Sequence, residues 1–269
     1  MDFCILSPIA GLERYSTLSK THLLLSQIRD PRYWEFYNKQ REKGDHIILD
    51  NGAYEGELDR VRLIECIKLI KPHVVALPDR LGEDWKASHH SSINFLESYY
   101  YEFDNIEWMY IPQASPGDVV GFVESLFRAL EDPRIAYIGL PRVLSYSITS
   151  DLLMRVRVAE QIRKRSSRVK IHALGMVKGS LEELRQLRSS GCVTSIDSNA
   201  PVWRGWCGYS MIRVENFKFI NWPEYPVNYE AEFVEKPLGG REPIHELILE
   251  NLEACGVNTN IPIRSRSSA

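Results

Sequence analysis

Short apolar runs that each end in polar, glycine or proline residues recur along this chain. The clearest are HIILDNG (46–52), HVVALPD (73–79), WMYIPQ (108–113), AYIGLPR (136–142), VKIHALG (169–175) and VTSIDSN (193–199). Phe3 to Leu6 opens the series and makes seven. The apolar parts are continuous rather than alternating, as expected of parallel strands buried on both faces. Between them the spacing becomes helical. Residues 59–70 put Val61, Ile64, Ile67 and Ile70 on a shared side, and residues 119–130 do the same with Val119, Phe122, Val123, Leu126 and Leu130. A helix over 151–165 starts at Asp151, and Ser180 with Glu183 three positions on forms a capping-box pattern before a stop at Gly191. Strand, helix, strand repeated this often points to a parallel sheet with right-handed crossovers.

An eight-stranded (β/α) barrel needs about 250 residues, and the chain has 269. The expected fold is therefore α/β, a (β/α)8 TIM-type barrel over residues 1–256. Residues 257–269 form a basic, loose tail. MIRVENFKFIN (211–221) is the candidate eighth strand, and HELILENLEACG (245–256) the helix that closes the ring. The aromatic-rich segment 214–233 is read as an excursion: a lid, a polymer clamp, an edge cover or a dimer contact. A doubly wound open sheet is the alternative. It often carries a glycine-rich nucleotide loop, and neither GxGxxG nor GxxxxGK[ST] occurs here.

Composition narrows the function classes. The formal charge of −3 is no footprint of strong non-specific nucleic-acid binding. Residues 155–170 are locally basic, with seven Lys and Arg against one Glu, and read as a solvated helix face or a phosphate-contacting rim. Five widely spaced cysteines suggest reduced thiols in a cytoplasmic protein and give no zinc pattern. No metal or cofactor is expected. No apolar run approaches the roughly 18 residues of a membrane span, and the start reads as a strand rather than a signal peptide.

In a barrel the carboxyl ends of the strands face the active site. Those ends carry Asp50-Asn51-Gly52, Asp79, Gln113, Gly139, Arg142, His172 and Asp197-Ser198-Asn199. Asp50 alone reads equally as a turn residue, and Asp79 as a helix cap. Convergence of three carboxylates on one mouth suggests acid–base chemistry beside a nucleophile, because crowding favours protonation of one of them. Asp197 is the sharpest catalytic candidate, with Ser198 and Asn199 available to orient it. Gln113 has a donor and an acceptor for a planar heterocycle. Gly139 lets a ligand approach the backbone or forms a tight turn. Tyr54 and Trp203 stack on a base or pack at the rim. His172 reads as a core or supporting histidine rather than a metal ligand.

The motifs LDNGAY (49–54), LPD (77–79), IPQ (111–113), IGLPR (138–142), IHALG (171–175) and SIDSNAP (195–201) together resemble the queuine/archaeosine transglycosylase superfamily, closest to its compact DNA-modifying members. The resemblance covers roughly residues 1–205. It implies guanine exchange for a 7-deazaguanine base through a covalent Asp197–sugar ester. Asp50 would assist proton transfer, Asp79, Gln113 and Gly139 would hold the base, and Arg204 would lie one residue beyond its counterpart's spacing. The implied partners are nucleic acid, DNA favoured over tRNA, and the free base, with a homodimer or accessory protein besides. The three-cysteine, one-histidine zinc site of the tRNA-acting members has no counterpart after Asp197. Two other readings stand beside it: an N-glycoside or nucleoside hydrolase with paired carboxylates, and a non-enzymatic nucleic-acid-binding barrel.

Overall fold

Eight strands alternate with helices in the computed structural model, which describes residues 1–56, 58–212, 227, 229 and 244–260, the side chains of residues 55 and 178 excepted. The strands are β1 (Asp2–Ile5), β2 (Thr21–Leu25), β3 (His46–Asp50), β4 (Val74–Ala76), β5 (Glu107–Tyr110), β6 (Ile135–Pro141), β7 (Lys170–Leu174) and β8 (Ser195–Ser198). The ladders are parallel and run in the order β1-β8-β7-β6-β5-β4-β3-β2. β1 and β2 lie side by side at the seam, where Thr21 Oγ1 donates to Asp2 Oδ2 at 2.8 Å. The sheet is thus a nearly closed (β/α)8 barrel, as expected.

The helices are α1 (Leu12–Tyr15), α2 (Pro31–Glu42), α3 (Arg60–Ile70), α4 (Trp85–Tyr99), α5 (Val119–Glu131), α6 (Met154–Arg165), α7 (Leu181–Ser190), α8 (Ala200–Trp206) and α9 (Ile244–Ala254). Side-chain caps set several starts. Asp30, Asp59, Asp84, Asp118 and Ser180 each accept a backbone N–H from the first turn of α2, α3, α4, α5 and α7. These oxygens satisfy donors that a helix cannot satisfy itself. Gly191 ends α7 in the left-handed region at φ 64°, a conformation that costs glycine little.

Two expectations need correction. The missing strand is THLLL, Thr21–Leu25, buried throughout; the ring is complete without residues 211–221. Of that stretch Met211 and Ile212 form a bend, and 213–221 lie outside the described residues. Most of the aromatic excursion and residues 261–269 of the tail lie outside them as well. The helical faces are also rotated from the expected ones. Leu63, Cys66, Ile67 and Ile70 are buried on α3 while Val61 is exposed; Phe122 and Leu126 are buried on α5 while Val119 and Val123 are exposed. α9 packs on α8 so closely that a Cβ on Gly205 would stand 2.7 Å from the backbone nitrogen of Ile248.

In the basic stretch 155–170, Arg157, Lys164, Arg165 and Arg168 are exposed, as the solvated-face reading expects, but part of the stretch serves the interior and the backbone. Arg155 is fully buried. Arg163 donates to the carbonyls of Val169 and Cys192, and Arg168 to those of Leu130, Asp132, Pro133 and Ile135. These guanidiniums tie together the ends of neighbouring strands and helices through their carbonyls.

Candidate active site

The carboxyl ends of β3, β4 and β5 form one wall of the barrel mouth. Side chains two residues apart on a strand share a face, so the polar residues just past each strand end can meet. Asn51 Nδ2 donates to Asp79 Oδ1 and to the Leu77 carbonyl, each at 2.7 Å, and Gln113 Nε2 donates to Asp79 Oδ2 at 2.7 Å. Both Asp79 oxygens therefore carry an amide donor. Asp79 is 4 % exposed, and burial pushes its carboxyl above the usual carboxylate range against the weaker opposing pull of the two amides. The carboxylate fixes the orientation of the Gln113 amide, which leaves Gln113 Oε1 buried with no donor among the described residues. Asp50 and Asn51 also shape the turn: Asp50 Oδ2 accepts the Gly52 N–H at 3.0 Å and Asn51 Oδ1 the Ala53 N–H at 2.7 Å. Gly52 has φ 79°, which a side chain would strain.

The ends of β7 and β8 form the opposite wall, three and four strands away from β4 in the ring. Asp197 is 6 % exposed. Its Oδ1 accepts the Gly175 N–H at 2.9 Å and meets His172 Nε2 at 3.1 Å. A carboxylate can only accept, so Nε2 is the donor to Asp197, and His172 Nδ1 lies 2.8 Å from the Ser195 hydroxyl oxygen. Asp197 Oδ2 has no hydrogen-bond partner among the described residues. Ser198 and Asn199, expected to orient Asp197, point elsewhere: Ser198 Oγ accepts the Ala200 N–H, and Asn199 Nδ2 donates to the Tyr229 hydroxyl. Gly139 pairs with His172 in register. A Cβ there would press on Ile111 and Leu174 side chains at 3.0 and 3.1 Å, so close packing requires this glycine.

Behind the second wall lies a buried ion pair that sequence reasoning missed. Arg155 Nε and Nη2 donate to the two oxygens of Glu183 at 2.7 and 2.8 Å, and both side chains are 0 % exposed. The same guanidinium donates to the carbonyls of Leu140, Leu174 and Gly175, at the ends of β6 and β7. It thereby clamps the peptide whose N–H holds Asp197. Glu183 also accepts the Val177 N–H, so the expected capping box is half formed: Ser180 caps α7, and the Glu183 carboxylate turns to Arg155 instead.

At the rim, the Arg142 guanidinium lies over the Tyr54 ring at 4.1 Å. The Tyr229 hydroxyl lies on the β8 side of the mouth, where it accepts from Asn199 Nδ2, while its carbonyl accepts the Ile9 N–H. Arg204 Nη1 reaches the Gly179 carbonyl at 3.5 Å. Trp203 sits beside Trp206, with ring centroids 5.9 Å apart. Among the described residues no cluster of three or more His, Cys, Asp or Glu side chains is placed to hold a metal ion, and no helix is long and apolar enough to cross a membrane.

No family model and no curated protein matches this chain. Solved structures with a similar course include an AP endonuclease, family 2, from Brucella melitensis, and a D-allulose 3-epimerase from Methylomonas sp. The first is 12 % identical with a TM-score of 0.48, over 74 % of this chain and 93 % of that one. The second is 9 % identical with a TM-score of 0.41, over 74 % and 84 %. Neither is a transglycosylase. The resemblance to the queuine/archaeosine superfamily is corrected on this finding, together with the guanine exchange, the 7-deazaguanine substrate and the DNA modification it implied. Likenesses this distant concern the course of the chain, and no activity is carried over from them.

Proposed function

We propose that this chain is an enzyme that transfers protons to and from a small hydroxylated ligand held in the barrel mouth. Asp197 is the general base. The observation that carries this reading is the unequal use of its two oxygens: Oδ1 is fixed by Gly175 and His172, and Oδ2 has no hydrogen-bond partner among the described residues. A carboxylate held by one oxygen and open at the other suits proton abstraction, since its position is set before the ligand arrives. His172 and Ser195 act through it as positioning residues.

The ligand's character follows from unmet acceptors. Among the described residues, Gln113 Oε1 and, just past β2, Gln27 Oε1 are buried without donors. Leaving a buried acceptor unpaired costs about 1–3 kcal/mol, and ligand hydroxyls would supply the missing donors. Asp79, on the opposite wall and held above its usual range by burial, can return a proton to such a ligand once one of its two amide bonds is released. The reaction class is proton transfer at a carbon next to a carbonyl, as in aldose–ketose isomerisation or epimerisation.

Incubation with a panel of pentoses, hexoses and their phosphates in deuterium oxide tests this. Deuterium should enter a carbon-bound position of at least one ligand, as read by NMR. Exchange that persists in Asp197→Asn, or none with any member of the panel, rejects the reading.

A further inference from the structure

Arg142 differs from the arginines around it. Arg155, Arg163 and Arg168 each donate to backbone carbonyls, and Arg155 also to Glu183. Arg142 sits at the end of β6, half-buried, and its guanidinium makes no hydrogen bond or ion pair with the described residues. What holds it is apolar and steric. Its guanidinium carbon lies 4.1 Å from the centre of the Tyr54 ring, which belongs to the turn after β3. Its stem crosses Gly175, where a Cβ would stand 3.4 Å from Arg142 Cδ. Arg142 thus spans from β6 over the end of β7 to the loop after β3. Gly175 is also the residue whose N–H holds Asp197.

A guanidinium stacked by its face keeps its edge N–H donors available in the plane of the fork. Placed at the mouth without an acceptor, those donors are suited to a planar or tetrahedral oxyanion, which they engage two at a time. We propose that Arg142, carried on Tyr54 and Gly175, binds an anionic group, a phosphate or a carboxylate, of the ligand that enters between Asp79 and Asp197. The inference rests on the reading of the mouth as a ligand site and adds the ligand's charge to it.

Calorimetric titration of the full chain with glucose 6-phosphate, gluconate and glucose tests it at equilibrium, with no turnover required. The phosphate or the carboxylate should bind more tightly than glucose, with an affinity that falls as salt is raised. Arg142→Met should weaken that anion at least tenfold and leave glucose unchanged, while Arg142→Lys should recover part of the loss. Whichever anion loses more in Arg142→Met names the group. Asp197→Asn should bind the anion at least as well as the wild type, because it removes a negative charge. Absence of anion binding by the wild type, or equal binding by Arg142→Met, overturns the proposal. Failure of the acid–base reading would appear instead as deuterium exchange that ignores Asp197, with these affinities unaltered.

Discussion

The barrel mouth carries a carboxylate on each side, and the two are held in different ways. On the β3–β5 wall, Asp79 has a donor on each oxygen, both from amide side chains. On the β7–β8 wall, Asp197 has two donors on one oxygen and none from the described residues on the other. Burial is similar, at 4 % and 6 % exposure, so access to water does not separate them. Partner geometry does. A carboxylate with both oxygens engaged braces three strand ends and must release a bond before it can exchange a proton. A carboxylate engaged through one oxygen is oriented and still has a free acceptor.

Replacing each acid by its amide breaks this comparison most directly. Asp197→Asn keeps an oxygen for Gly175 and His172 but loses the basic acceptor. General base catalysis contributes about 10²–10⁴-fold, so deuterium exchange should fall by that order while the unfolding midpoint moves little. A loss of stability comparable to a core defect would show that Asp197 is a brace as well, and the contrast between the walls would disappear.

The second wall has a buttress that the first lacks. Removing one partner of a buried ion pair costs about 3–5 kcal/mol, and Arg155→Met should fall in that range by denaturant unfolding. It leaves Glu183 buried without its cation and the carbonyls of Leu140, Leu174 and Gly175 without their donor. A second change in the same chain, Glu183→Leu, should recover part of the loss. If the single variant is nearly neutral, Gly175 is held by something other than this guanidinium.

The two walls were unequally legible in the amino-acid sequence. Asp79, Gln113 and Asp197 could be placed at strand ends because each closes an apolar run, and parallel strands bring such residues to one mouth. His172 was visible as a supporting residue for the same reason. The rest of what holds Asp197 was hidden. Gly175 acts through its backbone N–H, which leaves no side-chain signature. Arg155 and Glu183 lie in polar helices where charge is ordinarily solvated, and only tertiary packing turns them inward. β2 escaped notice because short helical turns, not a long amphipathic helix, precede it after β1. The ordered strand-end motifs suggested a reaction, yet the same convergence occurs in any barrel of this kind. Such an order therefore speaks more strongly for the fold than for the chemistry.

The brace on the first wall has a pH signature. Burial raises the Asp79 carboxyl in the folded state above its ordinary value near 3.8. A raised folded value means that the group's contribution is present below the unfolded value and is lost as pH rises through the folded one. Gln113→Leu removes the donor to Oδ2, which favoured the charged form, and should raise the folded value further. The cost of this change should be about 1–3 kcal/mol, smaller at pH 4 than at pH 7, by thermal or denaturant unfolding at both. A penalty that shrinks toward neutral pH would mean that Asp79 is not the group affected.

The smallest effect asks whether the buttress reaches beyond its own ion pair. Ser180 Oγ accepts the Glu183 N–H at 3.2 Å at the start of α7, and loss of an N-cap typically costs about 1 kcal/mol. In a complete capping box the residue three positions on could lessen that loss by bonding back to the cap. Glu183 cannot do so while its oxygens serve Arg155 and Val177. Ser180→Ala should therefore show the ordinary cap penalty in its unfolding free energy and leave deuterium exchange near the wild-type rate. A drop in exchange with intact global stability would show that fraying of α7 shifts Glu183, loosens Arg155 and reaches Asp197 through Gly175. The second wall would then be a single mechanical unit from the helix cap to the base.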